Sequence, residues 1–288
     1  MPEEFPTEAV LESSRDLDRR SVAEILEVIH REDRRALDAI GAVLPQIAQG
    51  AELLLATLRA GGRWINVGAG TSGRMGTLDA AELPPTFGVA PHRVQAVMAG
   101  GPAALFQAVE GAEDSSDAAR RALIERELGA HDAVLAISAS GRTPFARAAL
   151  AFARELGARR LALTCDPDSP LARDAEVSIA PRVGPEVIAG STRMKGGLVQ
   201  KCALHLLSTT VMVKLGHVDG NLMTSLRPVS NKLRRRAVRI VMALGDVDEA
   251  QACELLELSG GDVRAALAGA RVRGAPRVSV VPRSRAGQ

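Results

Sequence analysis

Residues 68–88, GAGTSGRMGTLDAAELPPTFG, follow a short apolar run at 63–67 and decide how the chain folds. A buried-strand pattern leads into Gly68-Ala69-Gly70-Thr71-Ser72-Gly73, and helix-compatible residues follow. Strand, Gly-rich turn and helix start is the geometry that aims unsatisfied backbone N–H groups at an anion. The hydroxyls of Thr71 and Ser72 add donors beside Gly70. No Lys-Ser or Lys-Thr closes the loop, which excludes a nucleoside-triphosphate loop. The GxGxxG spacing also fits a dinucleotide fold, but the next apolar run, 94–99, ends in Gly100-Gly101-Pro102 rather than a carboxylate. Taken alone, the stretch is equally a tight strand-to-helix turn.

A second turn of the same kind shifts the balance. The run DAVLAI at 132–137 leads into Ser138-Ala139-Ser140-Gly141-Arg142-Thr143-Pro144, and an Ala-rich helix follows with proline near its first turn. Two hydroxyl-rich strand ends in one sheet can converge on a single phosphate at the carboxyl edge. Capping of the helix by Ser140 or Thr143 is the plainer reading of the second turn, and capping and phosphate binding are compatible. The expected ligand is a phosphorylated small molecule.

Composition narrows the class. A net charge of +2 and 2% aromatic residues with no Tyr leave no large basic field and few stacking platforms, so no nucleic-acid partner is expected. Cys165, Cys202 and Cys253 are scattered without a CxxC pair, which suits a reducing compartment. The N-terminus, MPEEFPTEAVLESS, is acidic without an apolar core and is not expected to be a secretory leader. The longest apolar stretch, 202–215, is interrupted by His205, Ser208, Thr209, Thr210 and Lys214. It reads as a core or interface helix, so a cytoplasmic protein with no membrane partner is expected. Apolar residues around its whole circumference, Leu198, Val199, Cys202, Leu206, Val211 and Val213, ask for burial on all sides and point to a homodimer.

Along the chain, residues 1–20 read as flexible and charged. Ser21 opens a helix with a capping-box pattern, and a second helix is expected from about 33 to 58, disturbed near Pro45. Strands are expected near 63–67, 94–98, 132–137, 160–164 and 176–180, with helices near 73–82, 114–128 and 144–156 between them. This alternation implies an α/β fold with a doubly wound parallel sheet. A long helix from 192 to about 215 and three helical stretches near 231–243, 247–258 and 261–271 complete the pattern. The expected division is an N-terminal helical segment over 1–50, a phosphate-binding α/β domain over 51–225, a small helical bundle over 226–272 and a flexible tail over 273–288. The run KLRRRAVR at 232–239 reads as a solvated helix face, and LSGGDVRAAL near the C-terminus as a helical hairpin resembling ubiquitin-associated bundles.

Candidate acid–base groups cluster in three places. Asp79 and Glu82 lie three residues apart and so on one helix face, with Leu83-Pro84-Pro85 expected to end that helix. Glu110-Gly111-Ala112-Glu113-Asp114-Ser115 forms a second acidic cluster, which is otherwise a solvated turn capping the next helix. The segment 184–195 carries Glu186, Ser191, Arg193 and Lys195, putting two cations at the start of the long helix. His30, His92, His131, His205 and His217 show no ligand spacing, so no metal is expected. His217 is the strongest outside candidate among them.

Together GAGTSGRMGTLDAAELPPTFG, AVEGAEDS at 108–115, SASGRTPF at 138–145 and GPEVIAGSTRMKGG at 184–197 resemble the N-acetylmuramic acid 6-phosphate etherase family over roughly residues 5–272. The resemblance implies a sugar-isomerase, flavodoxin-like three-layer fold, related to the glucokinase regulatory protein, and a homodimer. It implies cleavage of the D-lactyl ether of N-acetylmuramic acid 6-phosphate to N-acetylglucosamine 6-phosphate and D-lactate, in cell-wall amino-sugar recycling, without a cofactor. It assigns catalysis to Glu82, in the E-x-P-P-T pattern, and to Glu113, in EGAED. Phosphosugar binding then falls to Gly70, Thr71, Ser72, Ser138, Ser140, Gly141 and Thr143, with Glu186, Ser191, Arg193 and Lys195 completing the cleft. A sugar-phosphate-sensing regulator and an aldose–ketose isomerase are the competing classes, and release of D-lactate separates all three.

Overall fold

In the computed structural model residues 6–274 are described. Helix α1, Val22–Ala42, starts at Ser21, whose hydroxyl accepts from Glu24 N–H while the Glu24 carboxylate takes the Ser21 N–H, the expected capping box. No break occurs near residue 33: α1 continues to Ala42, and α2, Leu44–Arg59, leaves it at a 60° bend with Pro45 in its first turn. Proline tolerates that position because the N–H it lacks would be unpaired there anyway. Residues 7–19 are not loose. Two 3-10 turns span Glu12–Ser14 and Leu17–Arg19, the Ser14 hydroxyl donates to the Val187 carbonyl at 2.8 Å, and Thr7 is buried.

The sheet is built from β1, Trp64–Gly68, followed by helix α3, Gly70–Phe87, then β2, Val94–Met98, and helix α4, Ser116–Ile124. Next come β3, Ala133–Ile137, helix α5, Pro144–Glu155, β4, Arg159–Leu163, the short helix α6, Pro170–Asp174, and β5, Val177–Ile179. All pairings are parallel and the strand order is β2-β1-β3-β4-β5. β1 and β3 are buried at every position, as expected of central strands covered on both faces. Ile65, Val67, Val134 and Ala136 join Phe145, Ala149 and Leu150 of α5 in one core. Order 2-1-3-4-5 places its switch point between β1 and β3, so the two hydroxyl-rich turns leave adjacent strands at the same sheet edge.

Helix α3 does not stop at Glu82. It runs through Pro84 and Pro85 to Phe87, which confines the two missing N–H donors to its last turn. Helix α7 spans Lys195–Lys214, and residues 190–194 before it are turns rather than helix. Among the described residues no single helix is long and apolar enough to cross a membrane.

The chain divides into two compact units, residues 1–84 with 89–216, and 85–88 with 217–288. The N-terminal helices belong to the first unit, where α1 and α2 pack on α7, and the expected boundary near 225 lies inside the second. In the second unit α8, Asn231–Gly245, α9, Glu249–Leu258, and α10, Val263–Gly274, close over Ala237, Ile240, Leu255 and Leu267. Lys232, Arg234, Arg235 and Arg239 lie on the less buried face of α8. The tail beyond 274 lies outside the described residues.

Candidate active site

The first turn is set by close backbone approach. A Cβ on Gly73 would lie 2.6 Å from the Gly68 carbonyl oxygen, so only glycine lets α3 start this near the end of β1. The N–H groups of Gly70, Thr71 and Ser72 are the first of α3 and have no intrahelical carbonyl to bond. Ser72 is buried and Thr71 half-buried.

The second turn is a hydroxyl cluster. Ser138 Oγ lies 2.9 Å from Thr143 Oγ1 and 3.5 Å from Ser140 Oγ, and it accepts from Gly141 N–H at 3.1 Å. Thr143 occupies the N-cap position of α5, yet its side chain makes no capping bond. Capping therefore does not consume that hydroxyl. Gly141 adopts φ +64°, and a Cβ there would fall 2.1 Å from Ser169 Oγ. Arg142, paired with Asp166 at 3.0 Å, braces the turn from behind.

The N-terminus of α7 abuts both turns. A Cβ on Gly196 would meet the Ala139 Cβ at 3.3 Å, and one on Gly197 would meet Thr71 Cγ2 at 3.1 Å. The first N–H groups of α7 are already taken: Glu186 accepts from Lys195 N–H at 2.9 Å and from Gly196 N–H at 2.8 Å. Burial pushes the Glu186 carboxyl up, against the two backbone bonds and Lys195, which pull it down. Lys195 does not face the cleft. Its Nζ is buried, donating to Glu32 Oε2 at 3.0 Å and to the Val183 carbonyl at 2.8 Å. A desolvated ammonium needs such a partner, and that need overrides the reading of Lys195 as a phosphate donor. Ser191 is half-buried and Arg193 exposed in the turn before α7.

Of the two glutamates, the structure brings one near the first turn. Glu113, exposed in a 3-10 turn at Ala112–Asp114, lines a cavity of about 160 Å³ together with Gly70, Arg74 and Glu110. Glu82 is also exposed, but it sits 10 residues beyond Ser72 on α3. At the helical rise that is about 15 Å along the axis. Along α3, Glu82 and the first hydroxyl turn therefore stay apart. Asp79, one turn before Glu82, faces inward: Ser208 Oγ donates to its Oδ1 at 2.9 Å, its Oδ2 has no partner among the described residues, and burial raises its pKa.

Sequence reasoning missed Glu32 and Arg74. Glu32 stands on the buried stripe Val28, Glu32, Ala36, Ile40 of α1, and a carboxylate at an apolar helical spacing signals a buried cation partner. Arg74 lies within the first glycine-rich stretch, where the turn drew the attention; its Nε donates to the Leu105 carbonyl at 3.2 Å and its Nη2 to that of Ala104 at 2.7 Å. His217 belongs to the second unit, its Nδ1 buried without a partner among the described residues, and burial with the nearby Arg264 lowers its pKa.

Comparison with known proteins agrees with this architecture. The family model "Glucokinase regulatory protein N-terminal SIS domain" matches residues 46–154, and "SIS domain" matches residues 109–209. A phosphoheptose isomerase of Francisella tularensis superposes with a TM-score of 0.52 at 21% identity, over 67% of this chain and 99% of that one. One from Neisseria gonorrhoeae gives 0.51 at 19% identity, over 66% and 98%. At such identities the likeness is one of fold. The sequence relatives are nearer. N-acetylmuramic acid 6-phosphate etherase 1 of Enterococcus faecalis is 45% identical over 92% of this chain and 88% of its own length. The etherase of Pectobacterium atrosepticum is 49% identical over 87% and 83%.

Proposed function

The chain belongs to the N-acetylmuramic acid 6-phosphate etherase family, and from that premise we propose how its residues divide the work. The enzyme is a carbon–oxygen lyase that splits the D-lactyl ether of N-acetylmuramic acid 6-phosphate into N-acetylglucosamine 6-phosphate and D-lactate, a step of cell-wall amino-sugar recycling. The 6-phosphate is received by the first N–H groups of α3 and by the hydroxyls of Ser72, Ser140 and Thr143. The observation that carries this reading is the meeting of two hydroxyl turns at the β1–β3 switch point, with Thr143 left uncapped.

The chemistry is dictated by the leaving group. An alkoxide departs poorly, so direct displacement of lactate by water is slow. With the sugar ring open, C1 is an aldehyde and the C2 proton is acidic. A carboxylate takes that proton, the C3–O bond breaks as an acid protonates the lactate oxygen, and an unsaturated aldehyde remains. Water then adds at C3, its proton going to the carboxylate that the acid became, while the protonated base returns its proton to C2. Each acid–base contribution is worth about 10²- to 10⁴-fold. Glu82 and Glu113 share these transfers.

About 15 Å of helix between Ser72 and Glu82 exceeds the few bonds that separate a sugar's C3 from its 6-phosphate. The Glu82 that completes a site is therefore that of a second copy, in a cytoplasmic homodimer. On α7, Leu198, Cys202 and Leu206 are only partly covered and Val213 is exposed, the unburied apolar side that such a dimer would cover. The primary test is D-lactate release from N-acetylmuramic acid 6-phosphate by the purified protein. Turnover in heavy-oxygen water must label C3 of the sugar and leave the lactate hydroxyl unlabelled. Label in lactate would mean attack on the lactyl carbon and would remove the roles given to both glutamates.

A further inference from the structure

The cavity that Glu113 shares with Gly70 holds about 160 Å³, below the roughly 300 Å³ at which pockets begin to take whole drug-sized ligands. It suits a fragment of a substrate, not a phosphosugar. Glu110 and Glu113 supply two carboxylates to its lining, and Arg74 is the one cation among the described residues there. Arg74 uses Nε and Nη2 to hold the Leu105 and Ala104 carbonyls. A guanidinium has five N–H donors, so those two bonds fix its plane and leave its other edge for a ligand.

We propose that Arg74 receives the carboxylate of the D-lactyl group, making this cavity the acid subsite of the cleft. The inference rests on the etherase reading and on Glu113 acting at the lactyl side. The lactyl carboxylate is joined to the ether oxygen through a single carbon. Any group that protonates that oxygen thus works beside a negative charge. Two protein carboxylates facing a third from the substrate would repel it, whereas a pre-oriented guanidinium converts the same geometry into a charge-assisted contact. A purely structural Arg74, clamping the 102–105 turn, would be indifferent to the charge of the lactyl group.

The test compares N-acetylmuramic acid 6-phosphate with its lactamide analogue, in which the carboxylate is a neutral carboxamide, following N-acetylglucosamine 6-phosphate formed from each. The wild-type enzyme should favour the acid in kcat/KM by about 10- to 100-fold, the span of a charge-assisted hydrogen bond. Arg74→Gln should lose the preference itself, bringing kcat/KM on the acid and on the amide to within about 3-fold of each other whatever the variant costs both. Arg74→Lys, which keeps the charge without the fork, should fall between. Equal loss on both substrates, or a wild-type enzyme that does not discriminate, overturns the inference and leaves the etherase reading standing. The wild-type comparison decides even if a variant fails to fold. A wild-type enzyme inactive on the acid sinks the etherase reading and this inference with it.

Discussion

The proposed sharing of a site across two copies makes a quantitative demand. Glu82→Gln and Glu113→Gln each remove one carboxylate while keeping size and hydrogen bonding. Each homodimer should be nearly inactive, since both of its sites lack the same group. Unfolded together in equal amounts and refolded, the two variants should assort so that about half of the dimers are mixed, as expected for a two-fold interface. In a mixed dimer one site joins an intact Glu113 from the first chain to an intact Glu82 from the second, and the other site lacks both. About half the sites in half the dimers gives close to one quarter of wild-type lactate release. The structural basis is the 10-residue separation of Ser72 and Glu82 on one rigid helix, about 15 Å. The assay is a coupled D-lactate measurement on refolded mixtures against each variant alone. Activity that stays at the level of the parents would mean both glutamates act within one chain, and the shared site would have to be abandoned.

Removing Lys195 should cost stability before it costs phosphate affinity: Lys195→Ala leaves buried Glu32 with only the largely exposed Arg35 as cationic partner, a loss of about 2–3 kcal/mol by denaturant titration. Asp79→Asn should stabilise the protein at pH 7 by about 0.5–2 kcal/mol, since the amide keeps an acceptor for Ser208 and removes a buried charge. Because burial raises the Asp79 pKa, ionisation costs stability above the unfolded-state value, near 3.8. The advantage of Asn should fade as pH falls toward about 3 in thermal melts, as Asp79 becomes protonated in the folded and unfolded states alike. Deleting two phosphate donors at once, Ser140→Ala with Thr143→Val, should raise KM for the 6-phosphate substrate at least about 10-fold. The same pair should leave the poor turnover of unphosphorylated N-acetylmuramic acid almost unchanged, and equal losses on both substrates would argue against a phosphate role.

How much of the fold and site is legible in the sequence depends on which interactions are local. The central strands are, because a strand covered on both faces reads as an unbroken apolar run closed by turn residues: AVLAI at 133–137 is buried throughout. The Ser21 capping box is legible for the same reason, its donors and acceptors lying three residues apart. Pro84 and Pro85 mislead because proline's penalty in a helix depends on how much helix must continue beyond it. Only Thr86 and Phe87 need helical geometry after them, and Phe87 is buried. Lys195 misleads because charge in a polar stretch looks solvent-bound, and its partner Glu32 is 163 positions away in sequence. The distance between Glu82 and the hydroxyl turns can be counted from the sequence alone. Once the helix is drawn, Ser72 and Glu82 stand about 15 Å apart along one axis, a separation that favours a sugar held between two copies. That count turns an exposed carboxylate from a poor catalytic candidate into one presented outward. A helix exposing Glu82 with Asp79 anchored inward, one turn earlier on Ser208, is suited to offer the carboxylate to another copy rather than to its own cleft.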